Sequence, residues 1–140
     1  MSSRPTLSPT TSVPATAARQ VLVVDDNRDA AQSLAMLLEL MGHDTAMAHD
    51  GQDALRCAEN FNPQVVLLDI GMPRMDGIEA CRRLRARVTG ASMSIVALTG
   101  LDQGAVQIGP GHFDAQLVKP VGWDELIQLL HALPPPTAMS

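Results

Sequence analysis

The chain is expected to fold as an α/β domain in which a parallel sheet is covered on both faces by helices. Three observations predict this class and say where its chemistry lies. The runs VLVV at 21–24, VVLL at 65–68 and IVAL at 95–98 are apolar without alternation, as strands buried on both faces must be. Between them lie longer stretches whose apolar residues recur every three to four positions, so strand and amphipathic helix alternate. Each strong run also ends on a polar group: Asp25 and Asp26, then Asp69, then Thr99, then Lys119.

Residues 1–18 are rich in Ser, Thr and Pro, carry no acidic residue and show no hydrophobic periodicity, which predicts a disordered tail. Organelle transit peptides share that composition, but this stretch is not amphipathic. QVLVVD at 20–25 is the first strand. In DAAQSLAMLLELMG, Ala30, Leu34, Leu37, Leu38 and Met41 share one face and Gly42 supplies a left-handed stop, so a helix follows. A short, weak strand at 43–48 precedes a helix near 52–60. PQVVLLD at 63–69 is the second strong strand, GIEACRRLRAR at 77–87 the third helix, and MSIVALTG at 93–100 the next strand. A shortened fourth helix of at most about two turns, mobile or irregular, is expected near 102–108, anchored by Val106. Gly104 weakens its interior, and Pro110 biases Gly109 away from helical geometry. AQLVKP at 115–120 is the last strand and DELIQLLHAL at 124–133 the closing helix. The Pro-rich residues 134–140 end that helix and form a second disordered tail, leaving one domain at 19–133.

A chain of 140 residues holds one domain with a proper core and is short for two. Its formal net charge of -5 disfavours a phosphate backbone as partner, so no direct contact with nucleic acid is expected. No apolar run approaches the roughly 18 residues of a membrane span, and the expected location is the cytoplasm. Cys57 and Cys81 fall on helices without metal-ligand spacing and read as buried free thiols. His43, His49, His112 and His131 lie in different elements and read as solvated or core residues. Arg82, Arg83, Arg85 and Arg87 read as a solvated helix face. Trp123 is either half-buried at a helix start or a partner contact.

In a parallel sheet of βα units the carboxyl ends of all strands share one edge, and ligands bind there. Three carboxylates, a hydroxyl and an ammonium would therefore meet in one crevice. Paired acids at a strand end make sense beside a cation, and hard oxygen ligands suit magnesium. For any single aspartate, a helix cap at a strand–helix turn is an equally good account; for the whole set it is not.

VLVVDDN, VVLLDIGMPRMDG, IVALTG and LVKP, in this order and spacing over about 20–133, resemble the receiver domains of two-component response regulators. The resemblance implies a doubly wound five-stranded sheet in the order 2-1-3-4-5. It implies that Asp69 is the phosphoacceptor and that Mg2+ (or Mn2+) is held by Asp26 directly, by Asp25 largely through water, by Asp69 and by the backbone carbonyl of Gly71. Thr99 and Lys119 would contact the phosphoryl group, and the Lys119-Pro120 bond would be cis. The donor would be a phosphohistidine on a histidine kinase or a histidine phosphotransfer protein. The phosphorylated domain, a monomer or weak homodimer, would signal to a downstream protein by contact, or act as a phosphate relay or sink. It would be no enzyme beyond catalysing its own phosphorylation and dephosphorylation.

Other classes fit less well. Phosphatases of the haloacid dehalogenase type need a second Asp two positions after the nucleophile, where this chain has Gly71. A flavodoxin-like cofactor binder would need a phosphate loop where this chain has acids. An interaction module that keeps the receiver fold with a degraded phosphorylation switch is the serious alternative. Its basis is three departures from the family pattern. Gln116 stands three places before Lys119, where the family usually has an aromatic residue or His, so the resemblance implies Thr99 and Gln116 as the switch pair. The segment between Thr99 and Lys119 is short and contains GPG. Gly122-Trp123 opens the last helix where Asp-Pro or a similar cap is common.

Overall fold

The computed structural model describes residues 18–72, 77–87, 93–101, 104–109 and 112–134. The rest of both predicted tails, residues 73–76 of the GMPRMDG stretch, residues 88–92, Asp102, Gln103, Pro110 and Gly111 lie outside the described residues. The elements run β1 (Gln20–Val24), α1 (Arg28–Leu40), β2 (Asp44–Ala48), α2 (Gly51–Phe61), β3 (Val65–Asp69), α3 (Gly77–Arg85), β4 (Ser94–Thr99), β5 (Ala115–Val118) and α4 (Trp123–Ala132). All five strands are parallel in the order β2-β1-β3-β4-β5, so strand order reverses beside β1 and a crevice opens at its carboxyl end.

The strand period of two divides the apolar runs between two cores. Leu22, Val24, Val66, Leu68, Ile95 and Ala97 pack toward α2 and α3, with Ala54, Ala58, Ala80 and Leu84. Val21, Val23, Val65, Leu67, Val96 and Leu98 pack toward α1 and α4, with Leu34, Leu38, Leu126 and Leu130. The unbroken apolar runs are thus explained: β1, β3 and β4 have no solvent face.

Helix α1 starts on Asn27, whose side chain accepts from the Ala30 N–H. It ends in a Schellman turn: Gly42 takes a φ of 96°, its N–H donates to Glu39 O, and the His43 N–H donates to Leu38 O. The left-handed stop expected at Gly42 is present.

Three expectations need correction. The shortened fourth helix is absent from the described residues 104–109; Val106 still packs against the core as its apolar anchor. Gly104 sits at a φ of 76°, outside helical space, and the Gln116 side chain takes up the Gly104 carbonyl and the Val106 N–H. Arg85 is not on a solvated face. Its guanidinium donates to Met93 O at 2.6 Å and His112 O at 2.8 Å, and pairs with Asp114 at 2.5 Å, tying α3 to the approaches of β4 and β5. Of the two thiols, both free, Cys81 is buried but Cys57 is only partly so, with its Sγ 3.8 Å from Met47 O.

Arg19, the first residue of the expected domain, is a structural tie. Arg19 is 5% exposed, and its guanidinium donates to Leu130 O at 3.0 Å and Pro134 O at 2.8 Å, where the carbonyls at the end of α4 lack helical partners. Its own N–H donates to Nδ1 of buried His43 at 3.0 Å. Trp123, 42% exposed, opens α4 beside Leu40, Met41 and Ile127.

Candidate functional site

Strand register brings the polar strand ends together. Val24 pairs with Leu68, so Asp25 and Asp69 leave the sheet side by side. Asp69 pairs with Leu98, which places Thr99 one residue beyond; Thr99 pairs with Val118, which places Lys119 just past the same edge. The chain turns there through a cis Lys119-Pro120 peptide, as expected.

Asp25, Asp26 and Asp69 each bring a carboxylate oxygen within 4.8 Å of the others. Asp25 is 2% exposed, Asp69 6%, and Asp26 stands open to solvent. Neither buried acid is a helix cap. Asp25 Oδ1 accepts from the Asn27 N–H and Asp69 Oδ1 from the Gly71 N–H, both at 3.0 Å, two residues on in each case. Those bonds orient the carboxyl groups and leave each second oxygen facing Lys119. The Lys119 Nζ lies 2.8 Å from Asp25 Oδ2 and 3.6 Å from Asp69 Oδ2.

The electrostatics follow from crowding acids in a closed place. Burial pushes the Asp69 carboxyl above its ordinary range; the Gly71 N–H pulls it down, the Asp25 charge pushes it up, and Lys119 pulls it down again. Burial alone would lower the Lys119 ammonium, but the hydrogen bond it donates to Asp25 and the charges of both acids outweigh it and raise it. A hard cation fits this donor set, since three carboxylates gather where Lys119 pairs with Asp25 and Asp69, and the exposed Asp26 has room for water-bearing ligation.

Several contributors escape sequence reasoning. Gly77 opens α3 directly against the strand end: a Cβ there would stand 2.3 Å from Ile70 Cα and 2.7 Å from Asp69 O. Only its place in the MDG of the family-like stretch hints at this. His49 follows β2, and its Nδ1 lies 3.0 Å from the Asp25 carbonyl oxygen, which requires the proton on Nδ1. Gln116, singled out as a departure, donates from Nε2 to Thr99 Oγ1 at 3.1 Å. Beside the acids, Leu34, Leu37, Pro120 and Val121 line a cleft of about 380 Å³ that reaches Asp25 and Lys119.

A family model for the response regulator receiver domain matches residues 21–131. The chain belongs to that family. Among curated relatives of this receiver, Response regulator MprA of Mycobacterium ulcerans is 37% identical over 116 residues, covering 81% of this chain and 49% of its own. This chain therefore spans about half the length of the curated relatives it matches. Among solved structures, the receiver domain of the sensor histidine kinase PA1611 from Pseudomonas aeruginosa PAO1 is 31% identical with a TM-score of 0.73, over 82% of this chain and 96% of that one. That crystal structure has a magnesium ion coordinated in its active site cleft. Chemotaxis protein CheY4 of Vibrio cholerae is 25% identical with a TM-score of 0.73, over 84% of this receiver and all of the matched chain. Among the described residues, no helix is long and apolar enough to cross a membrane.

Proposed function

We propose that this receiver accepts a phosphoryl group on Asp69 from a phosphohistidine donor, a histidine kinase or a histidine phosphotransfer protein, in the cytoplasm. The observation that carries the reading is the Lys119 ammonium standing 2.8 Å from Asp25 and 3.6 Å from Asp69 at the switch point of the sheet. An Asp69 oxygen bonds to phosphorus as the bond from phosphorus to the donor imidazole breaks, and the imidazole keeps that electron pair. Asp69 Oδ1 is held by the Gly71 N–H, which leaves Oδ2 for the attack. Lys119 follows the charge onto a phosphoryl oxygen, and the Thr99 hydroxyl donates to another. Asp26, Asp25, Asp69 and the Gly71 carbonyl would hold magnesium, which neutralises charge on the transferring oxygens. The apolar cleft ending on Asp25 and Lys119 suits an imidazole presented on an apolar helix face. Water later cleaves the acyl phosphate, so the domain turns over only its own modification.

Incubation with magnesium and acetyl phosphate tests this. A phosphoryl mass on the Asp69 peptide is expected, and Asp69→Asn, which keeps the shape but not the nucleophile, should carry none while remaining folded. Full labelling of that variant would sink the assignment. A second reading, a receiver-fold interaction module whose switch has degraded, draws on the lack of helix in 104–109. It predicts no label on the wild type.

A further inference from the structure

We propose that Gln116 is a positioning residue for Thr99: its amide decides which hydrogen-bonding capacity of the Thr99 hydroxyl is left for a phosphoryl oxygen, and it binds that hydroxyl to the backbone of 104–106. The inference rests on the phosphoacceptor reading and deepens it. Gln116 Nε2 donates to Thr99 Oγ1 at 3.1 Å and to Gly104 O at 2.8 Å, while Oε1 accepts from the Val106 N–H at 3.2 Å. These partners permit one amide orientation only. Reversed, the amide would set oxygen against the Gly104 carbonyl and a donor against the Val106 N–H.

The orientation has a consequence for Thr99. Its hydroxyl already accepts a hydrogen bond from Gln116 Nε2, so its own proton is not used in that bond and is available to donate elsewhere. Thr99 is fully buried, which excludes competing water. Gln116 pairs across the sheet with Ala97, whose small side chain leaves room for the amide. Because the same amide holds Gly104 and Val106, any shift of Thr99 toward a group on Asp69 either carries that backbone along or breaks the Gln116 bond. An aromatic side chain at this position could not make these three bonds together.

Initial rates of acetyl phosphate labelling with magnesium, measured on the full chain, test the proposal in wild type, Gln116→Leu, Gln116→Glu, Thr99→Ala and the Thr99→Ala/Gln116→Leu double variant. Each Gln116 substitution should slow labelling roughly two- to ten-fold, the range that one net hydrogen bond commands. Gln116→Leu should add nothing once Thr99 is alanine. Amide exchange at Val106 should accelerate in Gln116→Leu but stay slow in Gln116→Glu, whose carboxylate still accepts from that N–H; this near-isosteric variant keeps the test valid should the leucine variant misfold. Labelled wild type with Gln116→Glu at wild-type rate, or an additive double variant, overturns this inference alone. Unlabelled wild type overturns the phosphoacceptor reading and this inference with it.

Discussion

Replacing Gly77 by alanine adds one methyl group at the tightest point around the candidate site. The new Cβ would lie 2.3 Å from Ile70 Cα, 2.7 Å from Asp69 O and 2.9 Å from Ile70 Cγ2, the first more than 1 Å short of ordinary contact at 3.4 Å. Two of these three obstacles are backbone atoms of the strand end itself, so no rotamer change relieves them. Overpacking in a fitted interior costs about 1–3 kcal/mol, and obstruction by backbone argues for the upper end, about 3 kcal/mol. With a urea m value of about 1–3 kcal/mol/M, the midpoint should fall by roughly 1–3 M. Relaxation would displace Asp69, and a shift of about 1 Å at a reacting group can cost up to roughly 100-fold in rate. Urea unfolding and acetyl phosphate labelling of the same preparation check both halves. A variant with an unmoved midpoint and wild-type labelling would refute the claim that Gly77 is required by close approach to Asp69.

Other outcomes follow from the ties and charges around that centre. Arg19→Met should cost about 2 kcal/mol in urea unfolding, since it strips charged hydrogen bonds from the carbonyls at the end of α4; an unchanged midpoint would count against the tie. His43 is buried with Nδ1 accepting from Arg19, and burial, then the Arg19 charge, lowers its pKa from 6.5. The unfolded ring therefore takes up a proton first, so its contribution is complete above 6.5 and is lost as pH falls below it. The midpoint should drop as pH falls below about 6.5, and His43→Gln should flatten that part of the profile. Asp26→Asn should weaken magnesium binding more than Asp25→Asn, because direct ligation outweighs contact through water; calorimetric titration in the reverse order would contradict the assigned ligand roles.

The strands, the helices α1 to α4 and the edge where the chemistry gathers were legible in the sequence because each depends on local pattern. Unbroken apolar runs mark strands covered on both faces, apolar spacing of three to four marks helices, and parallel βα units oblige Asp25, Asp26, Asp69, Thr99 and Lys119 to share one edge. Gly42 as a stop was readable for the same reason: a left-handed turn is a property of a few consecutive residues. What required the tertiary structure was every contact made across long separations. Arg19 reaches carbonyls more than a hundred residues away, and Arg85, one arginine in a run of similar ones, differs from its neighbours only in facing Met93, His112 and Asp114. Gly77 looks like an ordinary loop glycine until the backbone of Asp69 and Ile70 is found against it. Gln116 was readable as a departure, but not as a clamp, because its partners are chosen by strand register and by a segment whose backbone groups it satisfies in place of a helix. Local propensity determines which elements form; side chains with several possible partners are assigned only when those elements have packed.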